Sequence, residues 1–585
     1  MITPYDYGII AFYLLFMLVI GLLFRRMSKN TSDYFRAGGA MPWWLTGISA
    51  WIFSFSAWTF TGAAGKVYQS GTLVLVVFYS AIFALLVALM FTGVRFRRMR
   101  VITWMEAVRL RYGAFTEQFY TWIKLPLLLF FAGISLNAIG VFMAAVFHVE
   151  MNTILVVLGV VVTVVAFAGG SWAVLASDFV QAFLVVTITL CTAVLVLVHP
   201  QIGGLSGLVS KVPTAHFNWT EQARPELLVI WILGTLWLKF SDENNMERAT
   251  MYLMTRSDRD ARLMVLVPLI GTLLGPLIWF IPSMAATILH PNLAAEFPAL
   301  KQPHEAAFVA VALDVMPQGL LGLLLSAMLG ATVTQMDAGL NKNVGICIRS
   351  LYKPVFNPQA SEQHLLIAGK VCTLVFGLFV IGFALLVNRF RDTNLFDFVN
   401  QLAANLIMPL ALPLILGLFY KRTPGWSAWT TALIAGAASW LLGRFLTPTL
   451  FQEWMGWTKA LNGDEKTYLL LGITTLGGTV LVGTAWYFFT SLFYRSSPAC
   501  HQTAVDAFFE NLETPIQTSG TSGTQTSLYK LLGALCMVYG GFILLLVLIP
   551  NPLAGRLCFV FCGGAMFAAG ALLYRSGQRA ERAAS

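Results

Sequence analysis

Fifteen apolar stretches of about 20 residues recur along the chain, with few charges inside them. They lie near 7–25, 42–65, 70–93, 119–146, 152–169, 173–197, 226–246, 262–289 and 319–340, and then near 365–388, 396–419, 426–446, 467–490, 529–549 and 557–574. In hydrocarbon every backbone N–H and C=O must find its partner within the chain, so such stretches fold as membrane-crossing helices. Of the 585 residues, 58% are hydrophobic and 11% charged, whereas a soluble domain carries about a quarter charged residues. A disordered, fibrous or ordinary soluble protein is thereby excluded. The chain is expected to be an all-α polytopic membrane protein of about fifteen transmembrane spans.

The net charge of +10 is explained by topology without nucleic acid. If the first span runs from outside to inside, 24 Lys and Arg fall in the inner loops and tail and 10 in the outer loops, with Lys124, Lys239 and Lys370 inside spans. That excess places the N-terminus outside and the C-terminus in the cytoplasm, in a plasma or bacterial inner membrane. No cleavable signal is evident, so the first span is expected to remain. The seven cysteines include no CxxC pair, and neither a zinc site nor a disulfide framework is indicated. The largest polar interruption, 496–528, contains Thr518-Ser519-Gly520-Thr521-Ser522-Gly523-Thr524 and reads as a cytoplasmic linker. Two further spans follow in 529–585. No loop is long enough to hold a soluble catalytic domain.

Ionisable groups at membrane depth are costly and are functional candidates. Asp178, Asp242, Glu243 and Asp337 stand out. Asp178 lies about five residues, roughly 8 Å, from the inner end of its span, and Asp337 lies near the inner end of an oppositely directed one, so the two can share a depth. Ala331, Thr334, Asp337 and Ala338 fall on one side of their helix. Hard oxygen ligands without His or Cys suit an alkali cation or a proton, and a buried hydrogen-bonded brace is the other reading. Lys239 and Asp242 are one turn apart, which fits a local ion pair or, alternatively, a lysine facing an anionic solute in a cavity. Asn400, Gln401 and Asn405 add amides that bind solute or bridge helices. Ser54, Ser56, Thr59, Thr61, Gly62 and Gly65 crowd the second span, a composition that tolerates a broken helix with cation-binding carbonyls and equally suits close helix packing.

Five ordered motifs carry a resemblance. They are Ser32-Asp33-Tyr34-Phe35-Arg36-Ala37-Gly38-Gly39 with Met41-Pro42-Trp43-Trp44; Ile102-Thr103 with Glu106 and Arg111-Tyr112-Gly113; Gly169-Gly170-Ser171-Trp172-Ala173-Val174 with Ser177-Asp178 and Gln181; Asp242 with Glu247-Arg248 and Tyr252-Leu253; and Pro317-Gln318-Gly319-Leu320 through Ala331-Thr332-Val333-Thr334 to Asp337. Over residues 5 to 490 the chain resembles the sodium:solute symporter family, relatives of sodium/glucose, sodium/proline and sodium/sialic acid transporters.

The resemblance implies a leucine-transporter-type fold: a peripheral first helix in 1–30, inverted five-helix repeats in 31–225 and 226–422, and peripheral spans in 423–495. The helices at 42–65 and 226–246 would break near the midplane to form the solute site. It also implies a sodium site from the carbonyls of Ile52, Phe55 and Ala331 and the hydroxyl of Thr334, with Gln335 where the family has a second hydroxyl. That departure puts the shared site in question. Asp178 matches a second family sodium site, at which two serines are replaced by Asp337 and Ala338. The positions that hold sugar in the family's sugar carriers read Thr59, Phe78, Thr272 and Asn400, so a glucose-like pose is disfavoured. Leu238 and Lys239 replace usual pocket aromatics, and Trp58 lies nearby.

The expected function is secondary active transport by alternating access, with Na+ as the coupling ion. Ser56, Thr59, Lys239 and Asn400 would line the path of a small organic solute, such as a carboxylate or a partly apolar molecule. Proton coupling through Asp178 and Asp337, or service as a membrane sensor, are the alternatives. An enzyme of the prenyl or phosphate transferase kind is disfavoured, because Asp242 and Glu243 lack a repeated aspartate motif for magnesium.

Overall fold

The computed structural model describes residues 3–24, 35–53, 55, 57–147, 149–168, 171–390, 395–516 and 522–584; the side chains of residues 165, 168, 334, 335, 337, 338, 522–525, 583 and 584 lie outside that description. Among the described residues every regular element is helical, and the one β-type contact is an isolated bridge between Met41 and Thr255.

The first part of the chain forms α1 (Pro4–Phe24), α2 (Trp43–Phe53), α3 (Gly62–Ser70), α4 (Leu75–Val87), α5 (Trp104–Tyr112), α6 (Ala114–Phe147), α7 (Met151–Ala168) and α8 (Ser171–Val198). Then come α9 (Pro225–Asn244), α10 (Leu266–Trp279), α11 (Leu320–Ile346), α12 (Glu362–Phe390) and α13 (Leu395–Phe419). Outside this set lie α14 (Ser427–Phe445), α15 (Gly463–Ser496), α16 (Ala499–Glu513), α17 (Ser522–Leu545) and α18 (Leu553–Ala584).

Each of the fifteen apolar stretches is helical, but they do not all have the form expected of a simple span. Among the described residues ten helices are long and apolar enough to cross a membrane, or eleven if α14 and Pro448–Trp454, bent at 67°, count as one. The others depart for physical reasons. The stretch at 42–65 is broken: α2 stops at Phe53, the Phe55 N–H turns back onto the Ile52 carbonyl at 2.9 Å, and helical structure resumes at Ala57. The stretch at 226–246 carries Glu226, Lys239, Asp242 and Glu243. Its break does not fall near the middle of the span. It falls at the end, at Asn245, whose backbone is extended (φ −90°, ψ 162°) before a short turn over Met246–Arg248.

α1 buries Asp6, Ile9, Tyr13, Phe16, Met17, Ile20 and Phe24, at three- to four-residue steps along one face. It holds α11 at two points of that stripe. The Asp6 carboxylate accepts the N–H groups of Gly319 (3.0 Å) and Gly322 (2.7 Å) where α11 starts, a position that favours negative charge. Further along, the Tyr13 hydroxyl lies where a side chain at Gly330 would collide with it.

α17 and α18 pack backbone to backbone. A Cβ at Gly533 would meet Gly570 O at 2.7 Å, and one at Gly540 would meet Gly563 O at 2.9 Å, so glycine at these positions permits the contact. The hairpin docks on α1 and α8, with Phe12 stacked on Phe542 (3.7 Å) and Cys191 Sγ 3.7 Å from Cys562 Sγ. The 496–528 region is not a linker throughout. Residues 499–513 form α16, which buries Val505, Phe508, Phe509 and Leu512, and Arg98 donates to the carbonyls of Leu512 and Glu513 at its end. Of the low-complexity run, residues 518–521 lie outside the described residues.

Candidate functional site

A cavity of about 340 Å³ lies between α2, α6, α8, α9, α11 and α13. Its inner wall is set by the break after α2, which leaves Trp58 projecting at mid-bundle, and by α13, which supplies Asn400. Toward one end of the bundle it is lined by Lys239, Asp242, Glu247, Arg248 and Lys342.

The two ends of the cavity differ. At the Trp58 end, the indole stacks on Phe396 (5.6 Å, 7°) and leans on Phe78 (6.2 Å), which meets Phe280 (5.2 Å). Behind it Phe55 meets Trp279 at 4.5 Å and Phe60 meets Phe308 at 4.7 Å. Above these rings Lys66, 5% exposed, bonds Asp464 at 2.7 Å and lies 3.6 Å from Asp397. Glu305, 1% exposed, accepts the Leu395 N–H at 2.6 Å. At the other end Asp242 is exposed, so water reaches the cavity from that side.

Of the six charged side chains that line the cavity among the described residues, four are paired. Glu247 bonds Lys124 at 2.9 Å and Lys342 at 2.8 Å. Arg248 grips Glu243 through two contacts, 2.6 and 2.8 Å, and Arg248 and Lys342 each stand 6.0 Å from the Phe53 ring. The local ion pair expected between Lys239 and Asp242 is not formed: both line the cavity, and neither has an ion-pair partner among the described residues. Spacing in the sequence revealed that they share a helix face. It could not reveal Glu247 as a bridge between α6 and α11, because its two lysines are 123 and 95 positions away.

Asp178 sits behind the cavity wall, fully buried, and accepts the hydroxyl of Ser49, which itself lines the cavity. Next to it on α8, Gln181 donates to the Tyr13 hydroxyl at 2.8 Å. Ile52, Phe55 and Ala331 are buried. The broken helix meets α11 at this level, where the Ala57 N–H donates to Thr332 Oγ1 at 3.2 Å. The side chains of Thr334, Gln335 and Asp337 lie outside the described residues, as does Ser56.

Among the residues expected to meet solute, Trp58, Lys239 and Asn400 come together on the cavity. Thr59 is buried in the turn Ala57–Phe60, Phe78 packs behind Trp58, and Thr272 lies on α10; none of these three lines the cavity. The sequence reading missed Ser49, Lys124, Asn245, Glu247, Arg248 and Lys342 as lining residues. Glu247-Arg248 was within a quoted motif, the one signal available for that pair.

A helical bundle with a broken helix, a cavity open at one end and lined by both apolar and charged side chains, and a buried carboxylate behind its wall fits a secondary transporter. A model of the sodium:solute symporter family matches residues 34–435, and the chain belongs to that family. The human sodium/myo-inositol cotransporter 2 is 25% identical over 462 residues, covering 72% of this chain and 67% of that protein. A sodium/sialic acid symporter of Proteus mirabilis is 21% identical over 496 residues, 82% of this chain and 94% of that one. A solved Na+-coupled sialic acid symporter, in a substrate-bound outward-open state, superposes with a TM-score of 0.66 at 18% identity, covering 83% of this chain and 98% of its own. That likeness establishes the fold, the leucine-transporter-type architecture. The protein is an integral membrane protein and a sodium-coupled symporter of a small organic solute.

Proposed function

We propose that the protein carries a small solute with a carboxylate group into the cell, and that the cavity described above faces the cytoplasm. The orientation rests on charge. The open end carries Arg95, Arg97, Arg98 and Arg100 on one side and Arg248, Arg256, Arg259 and Arg262 on the other, as the cytoplasmic side of a membrane protein does. The N-terminus is then outside, and the domain scheme has repeats at 31–225 and 226–422.

The solute class rests on one observation: Lys239 lines the cavity with no carboxylate in ion-pair contact among the described residues. Once a bound solute displaces the water from this end, a cation left without an anion becomes unfavourable. The amide of Asn400 and the indole of Trp58 complete the lining toward the closed end. Sodium would bind near Asp178 and the backbone of Ile52, Phe55 and Ala331, with Thr334, Gln335 and Asp337 on the facing helix. Ser56, Thr59, Phe78 and Thr272 would act on the solute in other states of the cycle. Each sodium moving down the membrane potential contributes about 2.3 kcal/mol per 100 mV toward accumulation.

The test is thermal unfolding of the purified protein in sodium and in choline chloride, with monocarboxylates, sialic acid, myo-inositol and glucose. A carboxylate is expected to raise the melting temperature only in sodium, through RT ln(1 + [L]/Kd), and Lys239→Gln is expected to remove that rise. A rise from a neutral polyol that Lys239→Gln leaves intact would refute the carboxylate reading.

A further inference from the structure

Among the described residues, Lys239 accounts for one of the two charges on the cavity without an ion-pair contact, and Asp242 is the other. We propose that the pair forms a subsite for a zwitterionic solute, with Lys239 holding a carboxylate and Asp242 an ammonium group; this rests on the carboxylate reading of Lys239 given above.

The cavity's own charge pattern carries the proposal. Lys124 and Lys342 are occupied by Glu247, and Arg248 by Glu243. Lys239 and Asp242 stand on one face of α9 at a three-residue step, near enough to pair, yet they do not. Their order along the helix, cation before anion, is the weaker arrangement for a helical ion pair, so little holds them together against a competing ligand. Arg248 is in ion contact with Glu243 at 2.6 Å, and its charge reaches Asp242 only beyond contact distance. Both free charges are tolerated while water fills the open end, where Asp242 is exposed.

A bound solute displaces that water, and the requirement then changes. A simple monocarboxylate satisfies Lys239 and leaves Asp242 as an uncompensated charge in a partly dehydrated site, which is unfavourable. A neutral polyol leaves the two charges only each other, in the weaker helical order. A solute with a carboxylate and an ammonium group separated by a short chain meets both and leaves the net charge of the Lys239–Asp242 subsite at zero. Its apolar body would rest on Leu128, Val399 and Ile407 of the cavity wall. Asp242 is then the residue that discriminates zwitterions from plain carboxylates.

The experiment measures sodium-dependent thermal stabilisation of the full-length protein with L-alanine, β-alanine, γ-aminobutyrate, propionate and n-propylammonium as probes. At least one of the three zwitterions is expected to stabilise in sodium and not in choline, and the best one reports the charge separation of the site. Propionate and n-propylammonium are expected to act far more weakly. Asp242→Asn should weaken the zwitterion roughly ten- to hundredfold, the loss of a charge-assisted bond, and strengthen propionate. Asp242→Glu should restore part of the zwitterion response, and stabilisation by sodium alone should persist in both variants, showing an intact fold. If propionate matches the zwitterions and Asp242→Asn changes neither, the zwitterion subsite is refuted while the carboxylate reading stands. If propionate acts and no zwitterion does, the subsite alone falls; if no carboxylate-bearing probe acts, or Lys239→Gln leaves every response unchanged, both fall.

Discussion

The two ends of the cavity are held by different physics. The closed end is a layer of stacked rings, Trp58 on Phe396 with Phe78 and Phe280 behind, capped by Lys66 between Asp397 and Asp464. Aromatic stacking adds about 0.5–1.5 kcal/mol per pair beyond burial, and much of its contact area is renewed as rings slide. The open end is a frame of charges, with Glu247 clamping α6 to α11 across the hinge that follows α9. Lys124 is 2% exposed there, so that clamp cannot be loosened without stranding a buried cation. The comparison shows a rigid polar frame where the cavity is open and a deformable apolar seal where it is shut. Alternating access requires such an asymmetry, because one end must part while the other keeps its registry.

Glu247→Gln strikes the frame and should have the largest effect. Breaking a buried ion pair by removing one partner costs about 3–5 kcal/mol, and here two lysines lose their carboxylate. Chemical denaturation in detergent should show that loss, whereas a change under about 1 kcal/mol would mean the lysines find other partners. Next comes Asp178→Asn. The neutral amide should abolish stabilisation by sodium, worth about 2.7 kcal/mol at a hundredfold excess over Kd, while the protein still inserts. A normal sodium response would remove Asp178 from the ion site.

The seal should yield more gently. Lys66→Met removes a contact to Asp464, whose side chain is 38% exposed, and partly solvated pairs contribute about 0–1 kcal/mol. A cysteine at Phe396 should then react up to about fivefold faster with a membrane-impermeant maleimide added outside. No change would leave the rings alone as the seal.

The smallest effect concerns α16, beyond both ends. Burial, reinforced by the Arg111 guanidinium and opposed by a contact to the Thr423 carbonyl, holds the His501 imidazole below its ordinary 6.5. The undocked helix therefore takes up a proton first as pH falls, so docking is strongest above pH 6.5 and weakens as pH drops from there toward the lowered value. Hydrogen exchange in residues 499–513, corrected for intrinsic rates, should rise over that window, and His501→Asn should flatten the dependence.

Much of the helical scheme could be read from the sequence, because apolar length translates directly into helix in a medium without water. The interruption between Phe53 and Ala57 was also legible, since Ser, Thr and Gly crowd the second span. The position of the second break was not: nothing local distinguishes Asn245 from Asn244, and only the turn at Met246–Arg248 marks it. α16 was missed because a polar, low-complexity neighbourhood hid the short apolar stripe of Val505, Phe508, Phe509 and Leu512.

By itself the sequence determined that this is a helical membrane protein, which helix carries each acidic group, and which family's motifs it bears. Helical periodicity carries that information, since it specifies the face on which a side chain lies. Only the tertiary structure decided which charges are spent. Lys239 leaves Asp242, one turn away, unpaired, while Glu247 joins lysines on two distant helices. Electrostatic partners are chosen by distance and dielectric in three dimensions, and those are set by how the helices pack.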